Sequence, residues 1–541
     1  MAHAIIFTDR APRSNLEADS EYNPAYLSFP AGAYKLASVL REQGLSVLVV
    51  PNCLNLTLEG ARSIITNNSK GLLWVGISST LMFIRSDKFT EYRQKWHSST
   101  NKLMSVEHFS GNIDARNSIT EMAWGENELN ALADWCSVPV LVGGSWITHM
   151  KNGNFHNLND NVILVRNYAE NFIEEFTNNR LNGNSEHRIV DNLSYDNNAF
   201  KESTIVWNKT DVIGPNDWLP LEVARGCAFA CAYCTFPHRG KFDQFKDPKV
   251  LRQELIHNYE HFGTTSYILV DDLYNDSKVK VRELHDKVWN NLPFKPEWSS
   301  YMRLDMFWHD PESIEIIKAS GAKMGTFGIE TLDDRAGKAV GKGLGRARII
   351  DTLEKIKASW KDDILVQANF IAGLPFETRE SIRETLEWSL TTDLLFTASW
   401  FPMWITPPSH FKIVEETEVS SLSKNNAKWE IKWLSEMNWI NSAGITYQEC
   451  DDLAFEFIKR CNRHGLTSRA TFTFVDYADL RTAGLTHQDI LNVKSGQDIF
   501  VVNDALFRVG KRTEARLNTI LSYSDKSNLP VDNSLKHCYT L

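Results

Sequence analysis

Short, largely apolar runs punctuate the first 190 residues and predict buried strands. They are Ala4 to Phe7, Ser46 to Val50, Leu72 to Ile77, Pro139 to Val142 and Val162 to Val165. Apolar runs of this length without polar alternation suit strands covered on both faces, as in a parallel sheet. Ala31 to Gln43 places Tyr34, Leu36, Val39 and Leu40 at helical spacing and stops at Gly44, which predicts an amphipathic helix. Glu126 to Trp135 predicts another. Strands alternating with helices make a doubly wound α/β sheet over residues 1–190, whose ligands bind beyond the carboxyl ends of the strands. Two loops at such ends stand out. Ser78, Ser79 and Thr80 offer hydroxyl donors, and Gly143-Gly144 lets a large ligand approach the backbone. Both are equally readable as tight turns of a domain that binds nothing.

Residues 182–215 lose this periodicity and are rich in Asn, Ser and Asp, which predicts a surface linker, placed at 191–215 between the domains. A second alternating stretch follows over 216–405. Asp247-Pro248 and Asp310-Pro311 each open a helix, with the acid capping and Pro in the first turn. Ser266 to Val270, Trp298 to Arg303, Lys323 to Glu330, Ile364 to Ala372 and Phe396 to Trp404 predict strands. About six βα units make a partial (β/α)6 barrel, with chemistry at the strand C-termini. Residues 406–541 predict a mainly helical region that caps the substrate site, with helices over 424–440 and 447–464 and a polar tail from Ser522. Trp429, Trp433 and Trp439 read as core. Arg508, Lys511, Arg512 and Arg516 read as a solvated basic face.

Composition narrows the class. The 541 residues are 43% hydrophobic and 11% aromatic, enough for several packed cores and against disorder. A net charge of −10 disfavours a broad nucleic-acid face. Eight cysteines, three of them clustered, do not make a disulfide framework and fit a reducing cytoplasm. Neither a signal peptide nor an apolar run of membrane-spanning length is expected.

The clustered thiols carry the chemistry. Cys227, Cys231 and Cys234 follow the mostly apolar run Leu219 to Ala224 and the pair Arg225-Gly226, which reads as a strand ending in a tight loop. Three thiolates can hold three irons of a [4Fe–4S] cluster and leave the fourth open to a small molecule. Zinc with His238 as fourth ligand, and buried structural cysteines, are the competing readings.

With Tyr233 ahead of the last thiol, this CxxxCxxC resembles the radical S-adenosylmethionine (radical SAM) superfamily. The resemblance implies a [4Fe–4S] cluster whose open iron chelates SAM, with Tyr233 near the adenine. Val270-Asp-Asp-Leu-Tyr-Asn-Asp276, Gly328-Ile-Glu330 and Gly373-Leu-Pro-Phe-Glu377 resemble further segments of that family. Asp271, Asp272 and Glu330 would then accept from the SAM amine and ribose. Arg303 would pair with its carboxylate, and Gly373 would let the backbone approach the adenine. The strand-end acids can equally be caps, and Arg303 can equally make a structural ion pair.

The stretch from Phe29 to Gly44 is similar to the first helix of the Rossmann-like cobalamin-binding domain that precedes many radical SAM cores, and Val140 to Ser145 is similar to its glycine loop. Ser78, Ser79, Thr80, Gly143 and Gly144 would then contact cobalamin. The Asp-x-His-x-x-Gly motif that ligates cobalt in cobalamin mutases is absent from the sequence.

The resemblance implies an enzyme that reductively cleaves SAM to a 5′-deoxyadenosyl radical. The first reading is a cobalamin-dependent methyltransferase acting on an unactivated carbon. It would take a small-molecule or peptide substrate and an external electron donor such as flavodoxin or ferredoxin. The alternative is a cobalamin-independent epimerase, cyclase or rearrangement enzyme with a vestigial first domain, in which Cys450 would donate a hydrogen atom. A non-catalytic metal protein is the third. A methylthiotransferase is disfavoured because the first domain holds only Cys53 and Cys136 as possible cluster ligands.

Overall fold

The computed structural model describes residues 2–9, 29–80 except 54, 55 and 57, 84–85, and 124–183 except 150, 152–154 and 156. It continues over 189–192, then 197–463 except 237, 238, 241–243, 413, 417, 418, 436 and 437, and ends with 474–492 and 499–524. His238 and the tail beyond Ser524 lie outside the described residues.

Two six-stranded parallel sheets organise the molecule. The first contains β1 (Ala4–Thr8), β2 (Val47–Val50), β3 (Trp74–Ser78), β4 (Val140–Gly143), β5 (Val162–Asn167) and β6 (Ile189–Asn192). Their order is β2-β1-β3-β4-β5-β6, so the winding reverses between β1 and β3. Helices α1 (Ala31–Glu42), α2 (Leu58–Asn68), α3 (Glu126–Trp135), α4 (Ser145–His149) and α5 (Glu170–Leu181) connect the strands. The continuous apolar runs are buried on both faces, as a parallel sheet requires. Ala33, Tyr34, Ala37 and Leu40 form the buried stripe of α1, and Gly44 at φ +80° ends it.

The expected linker is not one. Ile189–Asn192 pairs with β5 as the sixth strand, and Ile205, Val206 and Trp207 are buried. Trp207 packs against Tyr34 and Phe29 at ring-centroid distances of 4.5 and 5.1 Å. Apolar residues scattered among Asn and Ser made a buried segment that has no regular period of its own.

The second sheet contains β7 (Leu219–Leu221), β8 (Ser266–Leu269), β9 (Glu297–Met302), β10 (Ala322–Glu330), β11 (Leu365–Ala372) and β12 (Thr397–Pro402). Each strand lies beside its sequence neighbour, which gives an open, six-stranded partial barrel. Helices α6 (Pro248–Phe262), α7 (Lys278–Lys287), α8 (Glu312–Ala319), α9 (Arg346–Trp360) and α10 (Arg379–Thr391) follow strands and cover the outer face. Asp247 caps α6 by accepting from the Lys249 amide at 2.7 Å, with Pro248 in the first turn.

The C-terminal region departs from expectation in three places. The stretch predicted as a helix over 424–440 is a hairpin, Lys432–Ser435 against Asn438–Ile440, in which Trp433 faces Trp439. Aromatic cross-strand pairing outweighs the apparent helical spacing of the tryptophans. Helix α11 (Tyr447–Arg463) does form as expected and packs on β12 and β11. Helix α12 (Phe474–Thr482) packs on the concave barrel face at the strand beginnings, against Trp218, Ile268, Met324 and Leu365, away from the strand C-termini. Helix α13 (Ile499–Ser524) places Leu517 and Ile520 in the core of the first sheet. These two helices therefore brace the molecule and do not cap the barrel mouth. The expected solvated basic face is also partly buried. Arg516 is 4% exposed, pairs with Asp217 at 3.1 Å and lies 4.3 Å over the Phe29 ring, and Arg512 pairs with the same aspartate at 2.5 Å.

Candidate active site

The three-thiol loop leaves β7 at the barrel mouth. Asp271, just past β8, accepts from the Val223 and Ala224 amides at 2.8 Å each and so anchors the entry to the loop. Gly226 turns the chain at φ +92°. The Ala232 amide donates to Val340 at 3.0 Å, and the Leu422 amide donates back to Ala232 at 3.0 Å. Hydrogen-bond donors reach the sulfurs themselves. Arg303 Nη1 lies 3.1 Å from Cys231 Sγ, and the Phe236 amide lies 3.4 Å from Cys234 Sγ. Burial pushes the Cys227 thiol up to about 11 and raises that of Cys234. Thiols so placed lose their protons only to a positive partner, and N–H donors stabilise the sulfur charge that results. The chemistry of this donor set suits a cluster, although among the described residues no three such side chains already converge as a metal-binding group.

Around the loop the remaining residues assemble unevenly. Tyr233 donates to Glu330 at 2.8 Å. Glu330 ends β10 at φ +69°, a conformation costly for a side-chain-bearing residue. Lys342 stands 3.3 Å from the same carboxylate and donates to the Gly328 carbonyl at 2.7 Å. Arg303 is committed to Asp305, with contacts of 2.9 and 2.6 Å, and lies 3.7 Å over the Phe229 ring. It thus makes the structural ion pair as well as touching a cluster cysteine. Asp271 is spent on the loop backbone, and burial pushes its carboxyl up to about 7. Burial also raises Asp272, which accepts from the Gly226 amide.

Gly373 sits at φ +90°, pinned by Glu377, which accepts from the Gly373 and Leu374 amides at 2.9 Å each and from Thr331 at 2.5 Å. A Cβ on Gly373 would stand 2.5 Å from both Cys450 Sγ and the Trp439 ring. Cys450 is fully buried behind this loop, so the structure does not bring its thiol to an open chamber. Sequence reasoning missed Lys342, Asp305 and Glu377 as site residues. Only Glu377 carried a signal, as the last residue of the Gly373 segment.

A cavity of about 300 Å³ opens beyond the carboxyl ends of the first sheet, across the β1/β3 reversal. Apolar Ile6, Trp74, Leu141 and Val165 form its inner part, and Ser78, Thr80, Gly143 and Gly144 lie on its wall. Ser79 is fully buried and does not line it. Its amide donates to Gly143 at 2.7 Å, tying the two expected binding loops together. Gly144 at φ +104° allows that approach, since a Cβ there would stand 2.6 Å from the Thr80 amide.

Toward the barrel the cavity is bounded by Lys35, Glu170, Glu222, Arg225 and Val270. Burial and nearby Lys246 push the Lys35 amine down to about 8. Burial alone would raise Glu222, but Arg225 and Lys35 hold it down to about 2.

This barrel and its loop define a radical SAM domain. Residues 221–389 match the family model of the radical SAM superfamily, and a domain of this class holds a [4Fe–4S] cluster and SAM. The match covers residues 221–389 of the 541, most of the part of the chain that folds as the barrel.

Two curated relatives and one solved structure extend the comparison. The anaerobic magnesium-protoporphyrin IX monomethyl ester cyclase of Cereibacter sphaeroides is 26% identical over 209 residues, covering 38% of this chain and 33% of that protein. The bacteriochlorophyllide d C-8(2)-methyltransferase of Chlorobaculum tepidum is 25% identical over 185 residues, covering 31% and 38%. The match thus spans little more than a third of either relative. The cobalamin-dependent SAM radical enzyme OxsB, solved with aqua-cobalamin and SAM, superposes with a TM-score of 0.48 at 13% identity, over 85% of this chain and 62% of that one. Among the described residues no helix is long and apolar enough to cross a membrane.

Proposed function

We propose that the protein is a cobalamin-dependent radical SAM methyltransferase acting on an unactivated carbon of a small molecule or peptide. The observation that carries this reading is the cavity of the first sheet, whose boundary includes Arg225 at the start of the cluster loop and Val270 just past the end of β8. A ligand there and SAM on the cluster would share one chamber. A cavity of about 300 Å³ takes part of a molecule as large as cobalamin, such as a flat apolar tail, and leaves the remainder toward the barrel. The relative from Chlorobaculum, named as a methyltransferase, supports the reading.

Cobalamin, when bound, supplies a transferable methyl group, and the cluster, when bound, supplies the electron that cleaves SAM. The chain's residues do the rest. Cys227, Cys231 and Cys234 hold the cluster, with Arg303 and the Phe236 amide balancing sulfur charge. Glu330, set by Tyr233 and Lys342, is an acceptor for the SAM ammonium. Gly373 gives the adenine access to backbone. Thr80, Gly143 and Gly144 form the wall against the cobalamin tail. Electrons come from an external reductant of the flavodoxin or ferredoxin kind.

The test is anaerobic reconstitution with iron, sulfide and hydroxocobalamin, followed by desalting, metal analysis and assay of SAM cleavage. About four irons per chain, retained cobalt and 5′-deoxyadenosine formation are expected. Iron and SAM cleavage without cobalt would move the reading to a cobalamin-independent radical reaction. Zinc without iron would sink it.

A further inference from the structure

The concave face of the barrel sheet changes character from bottom to mouth. At the strand beginnings Ile268, Met324 and Leu365 are sealed by α12. By strand alternation the same face continues with Val270, Tyr301, Thr326, Gln367, Asn369, Ser399 and Phe401. Single exposed apolar groups are ordinary on a protein surface, but here three share one face: Val270 is 43%, Tyr301 38% and Phe401 52% exposed. Phe236 of the cluster loop is also exposed, at 48%.

By that alternation Val270, Tyr301 and Phe401 lie on the concave side of the sheet, opposite the helices that cover its outer face. Solvent reaches the Tyr301 ring, but its underside packs edge-on against Phe474 at 4.8 Å, and burial together with the Glu330 charge raises its phenol. The polar groups between the aromatic ones are neutral and paired with one another. Thr326 donates to Gln367 at 2.7 Å, and Gln367 donates to Asn369 at 3.0 Å and Ser399 at 3.3 Å. On this face, β9 to β12 carry one charged side chain toward the mouth, Glu330, already engaged by Tyr233 and Lys342.

Registers give the dimensions. Tyr301 is level with Thr326, Gln367 and Thr397, so Phe401 stands three strands away and four residues nearer the rim. That is about 14 Å along the sheet and about 13 Å in depth. A single ring touches one wall of such a chamber. A charged ligand would meet no countercharge from the mouth ends of these strands other than Glu330, which is already engaged.

We propose, on the reading of the barrel mouth given above, that the substrate is a flat, uncharged molecule of several conjugated rings, held over Tyr301 and along Phe401. Val270 also borders the first-sheet cavity, so such a molecule would extend toward the methyl source.

The test uses the full chain, reconstituted anaerobically and saturated with SAM and hydroxocobalamin so that nucleotide sites are filled. Lumichrome, a neutral three-ring probe, and anthraquinone-2-sulfonate, an anionic one, are titrated by fluorescence or equilibrium dialysis. Lumichrome is expected to bind at least ten-fold more tightly. Phe401→Ala and Tyr301→Ala should each weaken lumichrome at least ten-fold, Tyr301→Phe should retain it, and Val279→Ala on α7 should change nothing. Iron content and SAM cleavage are measured on the same samples. SAM cleavage without lumichrome binding, equal binding of the two probes, or unchanged binding in both alanine variants would overturn the inference and leave the radical SAM reading standing. Selective binding lost in the variants, in preparations that cleave no SAM, would uphold the inference and sink that reading.

Discussion

Arg225 Nη2 meets the Glu170 carboxylate at 2.5 Å, joining the first helix turn after β5 to the residue two places before the first cluster cysteine. The same guanidinium holds Glu222 at 2.5 Å and lies over the rings of Tyr168 and Phe200, at 4.5 and 4.7 Å. It is therefore a seam between the two sheets. Arg225→Ala would leave two carboxylates facing each other in a largely buried site, a defect worth about 3 kcal/mol or more. A lower unfolding midpoint and poorer iron retention after desalting are expected. Arg225→Lys should recover only part, because one ammonium does not reproduce a forked guanidinium. An unchanged midpoint in Arg225→Ala would show that the seam is not structural.

Glu377 predicts a pH dependence. Burial pushes its carboxyl up to about 8 against the donors that surround it. The folded state then binds a proton that the unfolded chain releases above its ordinary value near 4.5. The stability this group contributes is full below that value and is lost as pH rises through about 8, with no further slope above. Glu377→Gln keeps an oxygen for the Gly373 and Leu374 amides and an N–H for Thr331, and it does not titrate. Thermal midpoints across pH 5 to 9 should fall less steeply in the variant than in the native protein. Parallel curves would mean that Glu377 does not titrate in this window.

Much of the fold was legible because the strands of the first sheet are largely apolar and several helices open with Asp-Pro or close with Gly, signals that act locally. The segment from Ile205 to Trp207 was not, since its burial comes from Tyr34 and Phe29, far away in sequence. Trp433 and Trp439 misled for a related reason. Their spacing suits a helix, but the hairpin partner decides. At the site, the thiols and strand-end acids were readable as residue types at strand ends. Their division of labour was not: Asp271 serves the backbone and Arg303 serves Asp305, facts set by side-chain geometry. Lys342 was invisible because a lysine between glycines looks like any exposed turn.

Gly144 tests the cobalamin assignment independently of the barrel. A methyl group there meets backbone at 2.6 Å and strains a φ of +104°, so Gly144→Ala must displace the Ser79-Thr80 loop from the cavity wall. Gly32, in the first turn of α1, has only Thr80 Oγ1 within reach of a Cβ, at 4.0 Å, so Gly32→Leu would put an apolar side chain into the cavity from α1 with no backbone in the way of its Cβ. Both variants should lose at least ten-fold in cobalt retained after reconstitution and keep their iron and SAM cleavage. Retained cobalt in both would place cobalamin elsewhere.

Cys450 separates a hydrogen-donor role from a packing role. It is fully buried: a Cβ on Gly373 would meet both its sulfur and the Trp439 ring, and burial with the Glu377 charge raises its thiol well above the ordinary value. Cys461 is 2% exposed on the same helix. Thiols that are buried and protonated react slowly with electrophiles. In the native protein both should resist iodoacetamide, and both should label once the chain is unfolded, as read by peptide mass spectrometry. Cys450→Ala should cost about 1 kcal/mol of stability, the loss of one small buried group, and leave SAM cleavage in place. Rapid native labelling of Cys450, together with loss of product but not of 5′-deoxyadenosine in Cys450→Ala, would restore it as a donor to a substrate radical.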